Sequence, residues 1–226
     1  MLDFPGHLVL KEKRVQPGDE WDLASGAWTF VRVEEGLGYM MVKEGCRTLN
    51  PGELVIFRGP SSLTFRASQL VFLVLNYFHV SPDLLGGVLT FNGQNFLIGS
   101  LDLSPSAPYL LPPGDSVARG FSEVLQLMSP ETDLNRRCQL LFLLADFLKR
   151  ELGRPKARSF PNGRAAHRFQ DLMDSLSALE IQKRSVKELA DLCGCSERHF
   201  TRLFRRSYGY SIRDRFMELR VREKTT

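Results

Sequence analysis

The chain has 226 residues, of which 43% are hydrophobic and 25% are charged, a composition typical of folded globular domains. Its net charge of +4 is unevenly divided, because residues 1–153 carry a net of −4 and residues 154–226 carry a net of +8. No run of about 18 apolar residues is present and the first residues do not resemble a signal peptide, so we expect a cytoplasmic protein without a membrane span.

Most of the first hundred residues read as short strands separated by turns. The candidate strands are Trp28–Val33, Tyr39–Lys43, Glu53–Phe57, Leu63–Ala67 and Gln69–Val80. Turn sequences such as Asn50-Pro51-Gly52 lie between them. Strands of about five residues at a spacing of about ten are typical of an all-β sandwich or barrel.

Helical periodicity replaces the strand pattern after a proline-rich, loop-like stretch over residues 99–115. Ser116 is a candidate cap for a helix through Met128, and a longer helix is predicted over Asp133–Leu152. The apolar residues of the longer helix cover more of its circumference than one core face needs, which indicates burial on two sides. We therefore expect a homodimer formed through this helix, with contacts from Leu140, Leu144 and Phe147.

A Pro-, Gly- and Arg-rich stretch near residue 160 predicts an interdomain linker. The predicted domains are residues 1–153 and 165–226, joined by a linker of residues 154–164. The net charge of +8 in the C-terminal part indicates a polyanionic partner for that part alone.

Two short helices around a glycine turn are predicted in the C-terminal domain. A first helix over Ala165–Ile181 precedes them. Ser185 and Glu188 have the spacing of a capping box, which predicts a second helix over Val186–Leu192. Gly194 supplies the backbone freedom that a tight turn between helices requires.

The third helix, predicted over Glu197–Ser207 with Ser196 as its N-cap, separates apolar from basic residues. Its core face carries Phe200, Leu203 and Phe204, and the opposite face carries Arg198, Thr201, Arg202 and Arg205. Arginine can donate two hydrogen bonds to guanine and threonine can contact the thymine methyl group, so this basic face suits insertion into the major groove of DNA. We expect phosphate contacts from Ser196, Arg205, Arg206, Ser211 and Arg213.

The stretch Glu188–Glu223 resembles the first helix-turn-helix of the AraC/XylS family of transcription regulators. The matching residues are Leu189-Ala190, Gly194, Ser196, Phe200, Leu203-Phe204, Gly209, Ser211, Phe216 and Arg220. The resemblance implies a sequence-specific regulator of double-stranded DNA that reads bases from Arg198, Thr201 and Arg202. The family has a second such motif, whereas this sequence stops at Thr226 within the joining helix, so we expect a truncated form or one reading head per subunit.

The N-terminal domain resembles the cupin-like sensing domain of the same family, in its architecture and in the stretch Asn50–Val55. The resemblance implies a mixed α and β fold with two domains: a cupin-like β-barrel followed by two helices, and an all-α helix-turn-helix domain. It also implies a small effector. If their strand faces point inward, Trp28, Arg32 and Tyr39 are candidates for the effector pocket.

Cupin barrels also occur in metal-dependent enzymes, which need clustered His and Glu ligands. His7 and His79 are far apart in sequence, and Cys193-Gly-Cys195 lacks the second ligand pair of a zinc site. We therefore expect no enzyme activity, no metal and no cofactor, and cysteines that are buried as small apolar residues. The alternatives are a metal-free cupin module that serves only for dimerisation, and a cupin-type enzyme fused to a degenerate DNA-binding domain.

Overall fold

The computed structural model of the chain describes residues 6–25, 27–42, 45–58, 61–99, 107–126, 133–153 and 164–217. These residues divide into two compact units. The strand unit takes in the described residues of 6–81 and 99–153, and the helical unit takes in Pro82–Ile98 and 164–217. The predicted linker, apart from Arg164, lies outside the described residues, as do Met128 and residues 218–226 of the expected joining helix.

Short antiparallel strands form two sheets in the strand unit. The strands are β1 Lys11–Val15, β2 Glu20–Ser25, β3 Trp28–Gly36, β4 Gly38–Val42, β5 Gly45–Leu49, β6 Leu54–Arg58, β7 Ser61–Ala67, β8 Leu73–Val80 and β9 Tyr109–Leu111. One sheet has the order β1-β8-β3-β6-β9 and the other has the order β2-β7-β4-β5. The two sheets share one apolar core. The β-rich domain is therefore confirmed, but the described strands form a sandwich and the predicted barrel is not closed.

Helices make up the rest of the regular structure. They are α1 Phe91–Gly99, α2 Ser116–Gln126, α3 Asp133–Gly153, α4 Arg164–Ser175, α5 Ala178–Gln182, α6 Val186–Leu192 and α7 Glu197–Tyr208, and residues 212–217 are also helical. The mixed α and β fold class is confirmed. Among the described helices, none combines the length and the apolar character that crossing a bilayer requires.

Two features differ from the sequence expectation. A 3₁₀ turn at Pro82–Leu85 and helix α1 occupy a region where strands were expected. The single helix predicted over residues 165–181 is divided into α4 and α5, because the hydroxyl of Ser177 accepts a hydrogen bond from the N–H of Glu180 and starts a new helix.

Strand β3 shows which face of the five-stranded sheet points toward the other sheet. Val31 and Val33 are fully buried in the core that the two sheets share. Because neighbouring side chains on a strand alternate, Trp28 and Phe30 point to the opposite side of the sheet. There, both rings contact Phe147 of α3 at centroid distances of 5.6 Å. The face that Trp28 occupies is thus covered by helix and does not line the space between the sheets.

Helix α2 covers the same outer face. Its Phe121 ring lies 5.4 Å from that of Phe78 on β8. The carboxylate of Asp115 accepts a hydrogen bond from the N–H of Val117 at 2.9 Å, so Asp115 caps the start of the helix where Ser116 was expected to do so.

The burial of α3 generates a test of this packing. Phe147 is fully buried against Trp28, Phe30 and Tyr109, whereas Phe142 of the same helix is 74% exposed. We expect Phe147→Ala to lower the free energy of unfolding by about 3–5 kcal/mol, because it leaves a cavity. Phe142→Ala should stay within about 0.5 kcal/mol of the wild type. Urea unfolding at low chain concentration, followed by tryptophan fluorescence, measures both; equal losses would contradict this packing.

Candidate nucleic-acid interface

Helices α6 and α7 form a helix-turn-helix whose first helix begins with a capping box. The hydroxyl of Ser185 accepts a hydrogen bond from the N–H of Glu188 at 3.2 Å, and the Glu188 carboxylate accepts one from the N–H of Ser185 at 2.7 Å. In the turn, Gly194 has a φ of +59°, and a Cβ there would lie 2.7 Å from the guanidinium of Arg168. The positive φ favours glycine at this position, whereas the end of the flexible Arg168 side chain could move away from an added Cβ. The predicted cap and the predicted turn are therefore present.

An aromatic cluster under α7 fixes which side of the helix faces the core. Phe200, Leu203 and Phe204 are buried, as predicted. The ring of Phe204 contacts the rings of Phe91, Phe169, Phe200, Tyr208 and Tyr210 at centroid distances of 4.7–6.4 Å. At its N-terminus α7 is capped by Ser196, and it ends at Gly209, whose φ is +86°.

The opposite side of α7 is basic. The exposed residues on this side are Arg198, Arg202, Arg205 and Arg206, and Thr201 is partly exposed. Among the described residues, no acidic side chain forms an ion pair with these arginines. The guanidinium of Arg202 hydrogen-bonds Nδ1 of His199 at 3.0 Å. The structure therefore brings the predicted base-reading residues together on one exposed face.

The predicted phosphate-contacting residues lie on α7 and just after it: Ser196 caps its start, Arg205 and Arg206 are in its last turn, and Ser211 and Arg213 follow it. Ser211 caps the helical residues 212–217, and Arg213 is exposed in their first turn. The N–H of Asp214 donates to the hydroxyl of Ser211 at 3.1 Å, and the N–H of Ser211 donates to the Asp214 carboxylate at 3.2 Å. Hydrogen bonds that the hydroxyl and the N–H of Ser211 donate to the Asp214 carboxylate lower the pKa of Asp214. Because a hydroxyl has one hydrogen to donate, Ser211 can contact a phosphate only by exchanging one of its bonds to Asp214.

Two groups that support the helix-turn-helix were missed by sequence reasoning. Arg168 of α4 donates a hydrogen bond to the carbonyl oxygen of Gly194 at 3.4 Å and so supports the turn. The hydroxyl of Tyr208, at the end of α7, donates to the side-chain oxygen of Asn92 in α1. No local pattern predicts either contact, because each joins residues that are distant in sequence.

The structure does not bring the candidate effector residues together. Trp28 is fully buried under α3, and Arg32 on the same strand face forms an ion pair with Glu34. Tyr39 lies in the other sheet, on β4. Its neighbour Met40 points into the core between the sheets, so Tyr39 points away from that core. A pocket lined by these three residues is therefore not formed.

The predicted dimer residues are also placed differently from the expectation. Leu140, Leu144 and Phe147 are fully buried within the strand unit of a single chain, so they are not available to a partner. The apolar residues that α3 leaves exposed are Leu134, 67% exposed, and Phe142, 74% exposed. The prediction that Leu140, Leu144 and Phe147 face a partner subunit is therefore wrong, because these residues face the core of their own chain.

The two histidines of the strand unit are neighbours in space, although they are far apart in sequence. His7 forms a β-bridge with His79. Nδ1 of His7 accepts a hydrogen bond from the N–H of Ser81 at 3.0 Å, and Nδ1 of His79 lies 2.9 Å from the hydroxyl of Thr29. Burial lowers the pKa of both imidazoles. Within the described ranges, no group of three or more His, Cys, Asp or Glu residues could hold a metal ion.

The cysteines differ in their surroundings. Cys193 is buried, and burial raises the pKa of its thiol to about 12. Cys46 and Cys138 are exposed, so the expectation that all the cysteines are buried is wrong.

Comparison with known proteins places the helix-turn-helix in a family. Residues 179–214 match the bacterial regulatory helix-turn-helix proteins of the AraC family. These residues therefore form an AraC-family helix-turn-helix, and the resemblance seen in the sequence is confirmed for this part of the chain. No curated protein matches the chain.

Solved structures show weaker similarity. ToxT from Vibrio cholerae is 10% identical, with 92% of this chain and 97% of that chain covered and a TM-score of 0.40. The Cupin_2 domain of an XRE family transcriptional regulator from Enterobacter cloacae is 23% identical, with 35% of this chain and 92% of that chain covered and a TM-score of 0.30. The family assignment therefore depends on residues 179–214.

The capping boxes make part of the stability of the helical unit pH-dependent. Hydrogen bonds from the N–H and the hydroxyl of Ser185 hold the pKa of Glu188 below its usual value, and those of Ser177 do the same for Glu180. Because each carboxyl has a lower pKa in the folded state than in the unfolded state, its contribution is present above the unfolded pKa of about 4.3. The contribution is lost as the pH falls through the folded pKa.

We therefore expect the helical unit to lose stability below about pH 5, and Glu188→Gln to reduce this loss. At pH 7, Ser185→Ala should lower the free energy of unfolding by about 1 kcal/mol, because it removes the cap. Ser175→Ala is the matched control, because the Ser175 hydroxyl is exposed and donates only to the carbonyl oxygen of Leu172. Urea unfolding followed by far-ultraviolet circular dichroism measures these effects; identical pH profiles for Glu188→Gln and the wild type would contradict the first expectation.

Proposed function

We propose that this chain is a sequence-specific transcription regulator that binds double-stranded DNA with α7 in the major groove. The observation that carries the proposal is the division of α7 into two sides. Phe200 and Phe204 are buried in the aromatic cluster, and the outer side presents Arg198, Thr201 and Arg202 without an acidic partner among the described residues. A short helix with such a face fits the major groove of B-DNA.

The base-reading residues have distinct roles in this proposal. Arg198 and Arg202 can each donate two hydrogen bonds to the N7 and O6 atoms of a guanine, and Thr201 can contact a thymine methyl group. The hydrogen bond between Arg202 and His199 orients the guanidinium before DNA is bound. Since a side chain that is already oriented loses less conformational freedom on binding, His199 supports base reading by Arg202.

The phosphate contacts surround the base-reading face. Arg205, Arg206 and Arg213 supply the charge, and the hydroxyl of Ser196 can donate a further hydrogen bond. Ser211 can contribute by exchanging its hydrogen bond to Asp214 for one to a phosphate. The net charge of +8 over residues 154–226 supports this role, because neutralising phosphates releases counterions. Affinity should therefore fall steeply as the salt concentration rises.

Selection of bound sequences from a random DNA pool, with the chain as it stands, tests the proposal. We expect enrichment of one sequence that the protein binds more tightly than random DNA at the same salt concentration. If no sequence is enriched while the protein still sediments as a dimer, the module serves only for dimerisation, and the proposal is wrong.

Substitutions on α7 separate base reading from phosphate binding. Arg202→Ala should lower affinity for the selected sequence by about 1–3 kcal/mol and relax the preference at one base pair, because the bidentate contact is lost. Arg206→Ala is the matched control. It should weaken binding to selected and random DNA alike and reduce the dependence on salt. Equal losses on both DNAs for Arg202→Ala would make it a phosphate contact instead.

We also propose that the chain forms a homodimer through the exposed side of α3. Leu134, Cys138 and Phe142 follow one another at intervals of four residues, so they lie on one side of the helix, and all three are exposed. A second copy would bury this apolar side. With two reading helices in one dimer, the second DNA contact becomes intramolecular and raises the overall affinity.

Phe142→Glu tests the dimer. Sedimentation of the wild type at micromolar concentration should give a dimer, and the variant should be a monomer, because a carboxylate would be buried in an apolar interface. Leu70→Glu is the matched control: Leu70 is 90% exposed, in the turn between β7 and β8, and its substitution should leave the dimer intact. A wild-type monomer, or a Phe142→Glu dimer, would contradict the proposal.

Control by a small effector is the part of the proposal that follows from the family resemblance. Trp21 offers a way to detect it, because its ring contacts Phe65 and Tyr77 at 5.9 and 5.0 Å, beside the core between the two sheets. A ligand that enters between the sheets should change its fluorescence. Titration with a panel of sugars and small carboxylates tests this, and a selected DNA sequence then shows whether a bound compound alters affinity.

A further inference from the structure

A segment from the middle of the chain completes the helical unit. Residues Pro82–Ile98 follow β8 of the strand unit and precede β9, yet they cluster with the C-terminal helices. Phe91, the first residue of α1, is 1% exposed. Its ring lies 5.6 Å from that of Phe204 and 5.2 Å from that of Tyr208. The core beneath the DNA-facing helix therefore includes a residue supplied by the N-terminal half of the sequence.

Backbone hydrogen bonds attach this segment to the junction between α4 and α5. The N–H of Phe91 donates to the carbonyl oxygen of Leu176 at 2.7 Å, and the N–H of Leu179 donates to that of Gly86 at 3.3 Å. A β-bridge joins the residues that precede Phe91 and Ala178. With bonds at Gly86, Thr90 and Phe91, this part of the segment has a fixed register against the junction between α4 and α5.

Side-chain hydrogen bonds connect α1 to the C-terminal end of α7. The hydroxyl of Tyr208 donates to the side-chain oxygen of Asn92, and the hydroxyl of Tyr210 donates to that of Asn95. The amide nitrogen of Asn92 donates in turn to Asp174 of α4. Burial raises the pKa of Tyr208 well above its ordinary value, so its phenol remains a hydrogen-bond donor at neutral pH.

We infer that α1 is a positioning element for DNA recognition: Asn92 and Phe91 fix the C-terminal end of α7 through Tyr208 and thereby set the orientation of its base-reading face. The inference rests on the proposed function. Helix α7 has 12 residues and is about 18 Å long. A displacement of Tyr208 that tilts the helix therefore moves Arg198, near the other end, by a distance comparable to the displacement of Tyr208 or larger. Base contacts depend on hydrogen-bond geometry, whereas contacts between a flexible arginine and phosphate tolerate such a displacement.

The test uses the full chain with Asn92→Ala, Tyr208→Phe and the double variant. Tyr208→Phe removes only the hydroxyl and keeps the ring against Phe91, so it should fold even if Asn92→Ala does not. Val88→Ser is the matched control, because Val88 belongs to the same segment and is 62% exposed. Circular dichroism confirms folding, and affinities are measured at one salt concentration for the selected sequence and for random DNA.

We expect each single variant to bind the selected sequence about threefold to tenfold more weakly, the effect of one hydrogen bond, with binding to random DNA unchanged. The double variant should be no weaker than Asn92→Ala alone, because both substitutions remove the same bond. Val88→Ser should match the wild type.

Other outcomes overturn the inference. If the folded Tyr208→Phe variant binds the selected sequence as the wild type does, α1 only contributes to the core. Equal losses on both DNAs, or additive losses in the double variant, also exclude positioning through this bond. If the wild type selects no sequence at all, the proposed function fails first, and the inference fails with it.

Discussion

The burial of Phe204 determines which side of α7 faces outward from the helical unit. Its ring contacts aromatic side chains of three helices and that of Tyr210, which follows α7. Complete burial of a phenylalanine stabilises a fold by about 1.5–3 kcal/mol, and Phe200, one turn earlier, is buried as well. Rotation of α7 by one residue, about 100°, would expose at least one of these rings. The orientation of Arg198 and Arg202 is thus a consequence of the core, and not a property of the arginines.

The helix-turn-helix could be predicted from the sequence because its signals are local. Ser185 and Glu188 are three residues apart, and the apolar spacing of α7 lies within a single helix. Ser177 and Glu180 carry the same capping signal, but the apolar periodicity continues across them and favoured one long helix. Helix α1 has no such signal: its bond to Tyr208 spans 116 positions in the sequence, and a local pattern holds no information about it.

The strand unit shows a different limit of sequence reasoning. Alternation along β3 separates Trp28 and Phe30 from Val31 and Val33, but both sets are apolar and both are buried, because the sheet is covered on both faces. Nothing in the strand itself distinguishes the face toward the other sheet from the face toward the helices. The same ambiguity applies to α3, where apolar residues occur around the helix and only the fold shows which of them are covered.

Residues 82–98 connect the two units along the chain. Residues 82–98 leave the strand unit after Ser81, whose N–H is bonded to His7 within that unit, and return to it at Gly99. Between these points the segment is bonded to Tyr208 at the end of α7. Equilibrium coupling is reciprocal: if the arrangement of α1 alters the affinity of α7 for DNA, then bound DNA favours that arrangement of α1 by the same factor. Under the proposed function, a change at either junction of the segment therefore has a covalent route to α7 that does not pass through the predicted linker of residues 154–164.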